Sequence, residues 1–538
     1  MIEKVESIFS SKKIVILLFF IFVAFIYIPH ISYFNIWDHN EGFYIETPRE
    51  MLLNGNYIIS TFNYTFRLNK PPLSYWLVII SYKIFGVSIF SERLVILFFF
   101  FSLLFLSFEF SILITKDFEK SIFVPLILSL TPRFFILAHK DLINILLTFF
   151  VVASLYFFYR FFLEKKSKYL FYFNVSLGLG FLTKGPIAIL LPGFIIFVFL
   201  MVTKENGFFK VFFSPHLLFF IVPVFLYYYG LYEVTGWYFI KKFFLVENIS
   251  RFTYGKFGPH RNFLYYFKVF LVDFFPWSFI FIYSLKYFKK NSGNKANIFL
   301  LLAVILPILF FSFSNNKQEY YIALVYPFAS ILMLNLLDEK ERFLPKVFKV
   351  VIVFLIFIYN YLYFLLSYFL LTKNTIYIII LFSIIFILFC RVAFKKEVFL
   401  KYLLIVLIPF YLISHNFIFF KLNDFRPAAK ISERILDFGR GKNYIVLNMG
   451  DIFPSFVFYL KRRVEFLNDF EYYFLKNKLL GKEPVFAITD SRTFEKLRKD
   501  GVKFKIIERY PQIRTKGKLI AKDLVKNKYS YVYLMSNF

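Results

Sequence analysis

Residues 37–93 read WDHNEGFYIETPREMLLNGNYIISTFNYTFRLNKPPLSYWLVIISYKIFGVSIFSER. Asp38, His39, Glu41, Glu46, Arg49, Glu50 and Lys70 crowd into this stretch, and long apolar runs flank it on both sides. Polar residues gathered beside a membrane, in a chain that otherwise avoids them, point to a reaction site at the bilayer surface.

The membrane itself is read from composition. Apolar residues make up 59% of the 538-residue chain and aromatic residues 24%, which no soluble globular domain matches. Many runs reach the roughly 20 residues that a helix needs to cross hydrocarbon. The short alternating segments of a β-barrel are absent from the sequence. The expected fold class is therefore a polytopic α-helical membrane protein. The single cysteine, Cys390, lies in an apolar run and reads as packing. The net charge of +30 sits mostly in short loops between apolar runs and over the C-terminal part. That is the positive-inside pattern beside lipid headgroups, and it excludes a nucleic-acid partner.

Runs and loops together predict a topology. The first span, about 14–29, follows Lys4, Lys12 and Lys13, so the N-terminus is expected in the cytoplasm. No small-residue cleavage site follows, and the run reads as a retained span. Residues 31–93 then form a first external loop. Its apolar piece 72–85 is short and carries Lys83, which suits an interfacial helix better than a span. Further spans are expected at 94–115, 121–138, 142–163, 169–183, 186–203, 216–236, 264–285, 297–313, 319–337, 346–371, 375–394 and 401–421. That gives about thirteen. With 72–85 kept out of the membrane, the Lys-rich loops at 116–120, 164–168, 204–210, 286–295, 338–346 and 395–401 all fall inside. The 37–93 loop, Asp141, Lys184, His260 and Lys317 then share the external face.

After residue 421 the composition changes. Strand-like runs at 444–448, 485–489 and 531–535 alternate with charged helical stretches at 428–438 and 493–500. This predicts two domains: a transmembrane part at 1–421, and a soluble α/β domain at 422–538. An odd number of spans places the second outside.

Asp38 and Glu41 are three residues apart and share a face if the stretch is helical. Paired carboxylates suit a group transfer in which one deprotonates the acceptor and another orients it. The same spacing also suits capping and surface charge. In NKPPL, two prolines pin Lys70 at the entrance to an apolar helix, where it suits a phosphate at headgroup depth or simple snorkelling. Asp141, after His139 and Lys140, is a carboxylate at the outer start of a span, reading as a functional group or a helix N-terminal charge. Lys184 in TKGP joins two spans with almost no loop. His260 and Arg261 in GPHRNF suit a phosphate or a metal. Lys317 and Tyr321 put a cation and a phenol at the mouth of a span. No nucleotide loop, HExxH or GxSxG is present, which removes ATP-driven and common hydrolase readings.

These stretches resemble, in order, one known family. NEGFYIETPREMLLNGNYI, NKPPLSYWL, IFGVSIFSERL, HKD at 139–141, GLGFLTKGP at 178–186, GPHRNFLYYF at 258–267, FFPW at 274–277 and SNNKQEYYIALVYP at 314–327 are similar to bacterial membrane glycosyltransferases of the aminoarabinose-transferase type. These have the GT-C fold and are relatives of the protein O-mannosyltransferases. Two positions depart: Asn40 stands where the family has the first of two acids, and Asn69 stands where it has glutamate before KPPL.

The resemblance implies transfer of a hexosyl or pentosyl group from a polyprenyl-phosphate sugar to an envelope glycolipid such as lipid A. Transfer would occur at the outer face of the inner membrane. Protein O-glycosylation is the alternative within the fold, and a lipid or polysaccharide transporter the alternative outside it. Glu41, Asp38 and Asp141 are the implied catalytic carboxylates. Lys70, Lys184, Arg261, Tyr321 and Lys317 are the implied donor-phosphate ligands. His260 is the candidate for a divalent metal, the one cofactor the resemblance brings into question. The implied partners are the polyprenyl-phosphate donor, an envelope acceptor and membrane lipid.

Overall fold

The computed structural model describes residues 2–28, 31–254, 261–290, 293–334, 423–512 and 530–538. The expected spans at 346–371, 375–394 and 401–421, the end of the 319–337 run, Cys390 and His260 lie outside the described residues.

Helix α1 (Ile2–Tyr27) leads into the first loop. There α2 (Asn40–Asn54), a short hairpin of β1 (Thr61–Phe62) and β2 (Thr65–Phe66), and α3 (Leu73–Phe85) follow in turn. At 1.5 Å per residue α3 is only about 20 Å long, too short to cross hydrocarbon. It starts where Pro71 and Pro72 end the extended chain.

The apolar bundle continues with α4 (Ile89–Thr115), α5 (Phe118–Ser121), α6 (Phe123–Ser129), α7 (Pro132–Ala138), α8 (Leu142–Glu164), α9 (Lys168–Lys184), α10 (Ile187–Val202), α11 (Phe208–Phe212) and α12 (Leu218–Thr235). After these come α13 (Trp237–Lys241), a π-helical stretch Lys242–Ser250 and α14 (Arg251–Tyr254). Beyond the next segment lie α15 (Tyr265–Asp273), α16 (Trp277–Lys290), α17 (Lys295–Phe313), a 3₁₀ stretch Glu319–Val325 and α18 (Tyr326–Met333).

Among the described residues, α4, α8, α17 and Pro215–Thr235 are long and apolar enough to cross a membrane, and two bent helix pairs bring the number to six. Helix α8 runs through the centre with 89% of its apolar stretch buried, whereas Pro215–Thr235 is 11% buried and lies at the rim.

Two runs expected as single spans are broken. The 121–138 run bends by 65° between Phe118–Ser129 and Pro132–Ala138, because Pro132 cannot supply the N–H that would continue the helix. The 264–285 run turns by 110° between Asp273 and Trp277, around Pro276. Aromatic rings fill the core: Phe158, Tyr159 and Phe199 pack around Phe299, with centroids 4.9–5.9 Å from it.

The C-terminal region is a sheet between helices. Helix α19 (Ala428–Phe438), β3 (Ile445–Met449), α20 (Ser455–Leu460), β4 (Glu465–Leu467), α21 (Tyr472–Leu480), β5 (Val485–Asp490), α22 (Ser491–Lys499), β6 (Lys505–Gln512) and β7 (Ser530–Ser536) follow in sequence. The strand order is β4-β3-β5-β7-β6. Strand β3 is parallel to β4 and β5, and β7 is antiparallel to β5 and β6. Alternation assigns the faces. Val446, Phe486, Ile488 and Leu534 pack with Ile431, Ile435 and Phe456 on one side. Leu447, Ala487 and Met535 pack with Leu475, Phe494 and Leu497 on the other.

This unit sits directly on the first loop. Asn63 exchanges two hydrogen bonds with the backbone of Val464, at 2.7 and 2.9 Å. The Ile36 N–H donates to the Tyr459 hydroxyl at 3.0 Å. The Arg426 guanidinium lies 3.1 Å from the centre of the Trp37 ring. Phe62 of the hairpin enters the core of the sheet.

Candidate functional site

Two prolines stiffen the chain after Lys70, and its side chain is only 13% exposed. Burial, with Arg251 nearby, pushes its ammonium down to about 7. Among the described residues, its one anionic partner is Glu247, at 3.8 Å. Glu247 also pairs with Arg251 at 3.5 Å. Both come from the π-helical stretch and the short helix after it. The wider π turn changes which residues share a face, and such turns recur at functional sites.

Lys184 is the last residue of α9, where the helix dipole favours a cation. The turn after it requires glycine. Gly185 has φ +87°, and a Cβ there would meet the Phe243 ring at 2.6 Å. The Lys184 ammonium donates to Asn144 Oδ1 at 2.6 Å. The Asn144 amide nitrogen in turn donates to both oxygens of Asp141, at 2.8 and 2.7 Å. Asp141 also accepts from the Asn144 backbone N–H and so caps α8. The cap and the suspected functional group are thus one carboxylate.

Lys70, Lys184, Asn144, Glu247 and Arg251 line a cavity of about 440 Å³, and Asp141 stands behind Asn144 outside its lining. Lys70, Lys184, Arg251, Glu247, Asn144 and Tyr321 form its polar wall. Leu147, Ile187, Leu190, Phe244, Phe310 and Leu324 form an apolar one. Lys184 lies 4.9 Å from the centre of the Tyr321 ring and 5.7 Å from that of Tyr320. Three cations against one lining carboxylate suit an anion, and the apolar wall suits a hydrocarbon tail.

The other expected residues are placed elsewhere. Glu41 is buried and salt-bridged to Arg93 at 2.6 Å. Its second oxygen accepts from the Trp37 N–H at 2.5 Å. Arg93 also ties down the carbonyls of Ile31 and Phe34, at 2.9 and 2.8 Å. Asp38 accepts from the Ser455 N–H at 2.9 Å and from the Ser455 hydroxyl, so it joins the first loop to α20. Arg261 pairs with Glu319 at 3.0 Å and stacks on Tyr265. The Lys317 ammonium donates to the Ser314 carbonyl. None of these four lines the cavity. Among the described residues, no group of three or more His, Cys, Asp and Glu side chains is close enough to hold a metal ion.

Glu247, Arg251 and Asn144 did not stand out in the sequence. The signal was the polar pattern ENISR at 247–251, which holds the one acid in the aromatic-rich stretch 237–263.

A family model described as dolichyl-phosphate-mannose-protein mannosyltransferase matches residues 69–229, a stretch holding Lys70, Asp141 and Lys184. An uncharacterised protein of Aquifex aeolicus (strain VF5) is 29% identical over 356 residues, 63% of this chain and 66% of that protein. A second from the same organism is 32% identical over 315 residues, 58% of this chain and 70% of the relative. The undecaprenyl phosphate-alpha-4-amino-4-deoxy-L-arabinose arabinosyl transferase of Wigglesworthia glossinidia brevipalpis is 30% identical over 345 residues, 60% of this chain and 59% of that enzyme. The chain thus spans about three-fifths to two-thirds of the length of the first Aquifex relative and the Wigglesworthia enzyme.

Solved structures of ArnT from Cupriavidus metallidurans superpose over nearly the whole chain. The structure bound to undecaprenyl phosphate covers 97% of this chain and 98% of its own, with a TM-score of 0.71 at 18% identity. The apo structure covers 98% of each, with a TM-score of 0.74 at 17% identity. At that identity the likeness establishes the fold, a polytopic GT-C membrane architecture.

Proposed function

The chain belongs to the GT-C membrane glycosyltransferase family that resembles aminoarabinose transferase, and we propose that it moves a sugar from a polyprenyl-phosphate carrier to a glycolipid acceptor of the envelope, such as lipid A. The observation that carries this is the cavity in which Lys70, Lys184 and Arg251 face an apolar wall. An anionic head with a long hydrocarbon tail fits both halves. The names of the arabinosyl transferase relatives support a pentose as the sugar.

In this reading the acceptor hydroxyl oxygen attacks the anomeric carbon while the bond from that carbon to the phosphate oxygen breaks. The electron pair goes to the phosphate, which leaves with an added negative charge. Lys70, Lys184 and Arg251 stabilise that charge as it develops. The hydroxyl proton goes to a carboxylate. Asp141 suits this better than Glu247. Glu247 forms ion pairs with two cations, whereas Asp141, which stands behind Asn144 and outside the cavity lining, forms none among the described residues and would be met from the acceptor's side. Glu41 and Asp38 then hold the first loop in place. Tyr321 borders the phosphate, and Arg261 and Lys317 shape the approach.

The full arrangement we propose has about thirteen spans over residues 1–421, an internal N-terminus, and the unit at 422–538 on the outer face of the inner membrane. The packing of that unit on the loop that carries Lys70 supports its placement beside the site.

Purified protein in nanodiscs, given a polyprenyl-phosphate sugar labelled in the sugar, is expected to move label into extractable glycolipid. Label appearing in protein would favour the O-glycosylation reading. No transfer to any envelope fraction would overturn both.

A further inference from the structure

A second cavity, of about 750 Å³, lies away from Lys70 and opens at the sheet of the C-terminal unit. Its position follows from topology. Strands β3, β4 and β5 run parallel, so their carboxyl ends share one edge. The crevice beyond the carboxyl ends of parallel strands is where open α/β sheets bind ligands. Met449 and Gly450 at the end of β3, and Asp490 at the end of β5, line the cavity.

The rim is built, not incidental. Gly450 has φ +96°, and a Cβ there would come within 2.8 Å of the Asp490 carboxyl carbon. Only glycine lets the two strand ends approach so closely. Asp490 accepts from the Thr493 N–H at 2.8 Å and caps α22. The buried Asn448 side chain donates to the Asp451 carbonyl at 3.1 Å and accepts from the Phe453 N–H at 3.2 Å. The loop at 450–453 is therefore fixed before any ligand arrives.

The lining chemistry is mixed in a particular way. Asp451, Asp469 and Asp490 supply acceptors, and Arg492 and Lys496 supply donors. Phe43, Phe453 and Tyr472 supply aromatic surface. Acceptors for hydroxyl protons, donors to ring and hydroxyl oxygens, and aromatic faces for C–H surfaces are together the complement of a sugar ring. An apolar tail would find too little apolar wall, and a bare anion would meet three carboxylates.

One wall comes from the first loop. His39 and Phe43 line the cavity, and Asp38 holds that loop to α20 through Ser455. The segment that carries Lys70 thus continues into this crevice. We propose that the crevice is a saccharide-binding site that holds the sugar headgroup of the acceptor while the membrane cavity holds the donor. This rests on the transfer reading above.

The test uses the full-length protein in nanodiscs and a panel of soluble hexose, hexosamine and uronic mono- and disaccharides, read by saturation-transfer NMR. At least one sugar is expected to bind saturably below about 10 mM, a range typical of weak polar sites. Arg492→Gln with Lys496→Gln, and separately Asp469→Asn, alter exposed rim residues, and because Lys496 lies over the Tyr472 ring the melting temperature of the double variant is measured alongside. Each is expected to weaken sugar binding at least tenfold. Each is also expected to raise the KM for glycolipid acceptor while the affinity for undecaprenyl phosphate stays unchanged. No saturable sugar in the panel, or binding unchanged in both variants, would overturn the site. Sugar binding that is intact and lost in the variants, with no transfer by the wild-type chain, would instead remove the transfer reading and leave the saccharide site standing.

Discussion

Asn144 joins Lys184 to Asp141: its carbonyl oxygen accepts from the ammonium at 2.6 Å, and its amide nitrogen reaches both carboxylate oxygens at 2.7–2.8 Å. One neutral side chain thus orients a cation that lines the cavity and the carboxylate behind it. Asn144→Leu keeps the volume and removes both bonds. Turnover is expected to fall by roughly a hundredfold, the scale on which misplaced groups act. Donor affinity should fall as well, because Lys184 loses its fixed position. Binding of undecaprenyl phosphate and single-turnover transfer, measured side by side, check this. Wild-type values for both would remove Asn144 from the site.

Lys70 is held at a cost. Its ammonium is pushed down to about 7, so below that pH the folded protein carries a buried charge that the unfolded chain would solvate. Between about 7 and the ordinary lysine value near 10.4 the unfolded chain binds more protons, so this group makes stability rise with pH across that window. Lys70→Met should therefore raise the melting temperature of the empty protein by at least about 2 °C at pH 6, with the gain fading toward pH 10. The same variant should lose undecaprenyl phosphate binding. A variant that melts lower than wild type at pH 6 would show that Lys70 serves structure.

Glu41 is expected to behave as a structural group. Glu41→Gln leaves the Arg93 charge buried without its partner, which costs about 3–5 kcal/mol for pairs of this kind. Loss of activity in that variant alone would therefore report unfolding as readily as chemistry. Glu41→Leu combined with Arg93→Met removes both charges and should restore most of the stability. Transfer above about a tenth of wild type in the double variant is expected, since a group acting in the transition state would cost more. Well-folded but inactive double variant would return Glu41 to the chemistry.

The contrast between Glu41 and Lys70 marks what sequence could reveal. Lys70 and Lys184 stood out because local chain features mark them, PP placing Lys70 just before the apolar helix α3 and GP placing Lys184 at the end of α9. Glu41 and Asp38 looked reactive because carboxylates are scarce in an apolar chain. Their partners, Arg93 and Ser455, lie 52 and 417 residues away, and no local pattern announces them. Glu247 and Arg251 carried no mark in the sequence, because π winding leaves no trace in hydrophobic period. In the C-terminal unit the buried strands β3, β5 and β7 stood out by their apolar runs. The short β4 and the charged edge strand β6, which tolerates Pro511 because it lies at the edge, did not.

Glu247 lies between Lys70 and Arg251 and competes with any phosphate for both. Removing its charge should tighten anion binding, yet Glu247 is also the group that raises the Lys70 pKa toward its normal value. The two effects separate by pH. At pH 6 Lys70 is more protonated in Glu247→Gln than at pH 8, so undecaprenyl phosphate should bind tighter than to wild type there, by up to about tenfold, the scale of one charge-assisted contact. At pH 8 the variant's Lys70 is mostly neutral when the site is empty, and binding must first protonate it, so the gain should shrink or vanish. Tighter product binding at pH 6 should also slow multiple turnover there without changing the first turnover. Affinities measured at the two pH values decide the point. Equal tightening at both would mean that Lys70 stays charged throughout, and weaker binding at pH 6 would mean that Glu247 positions the cations and does not compete with the phosphate.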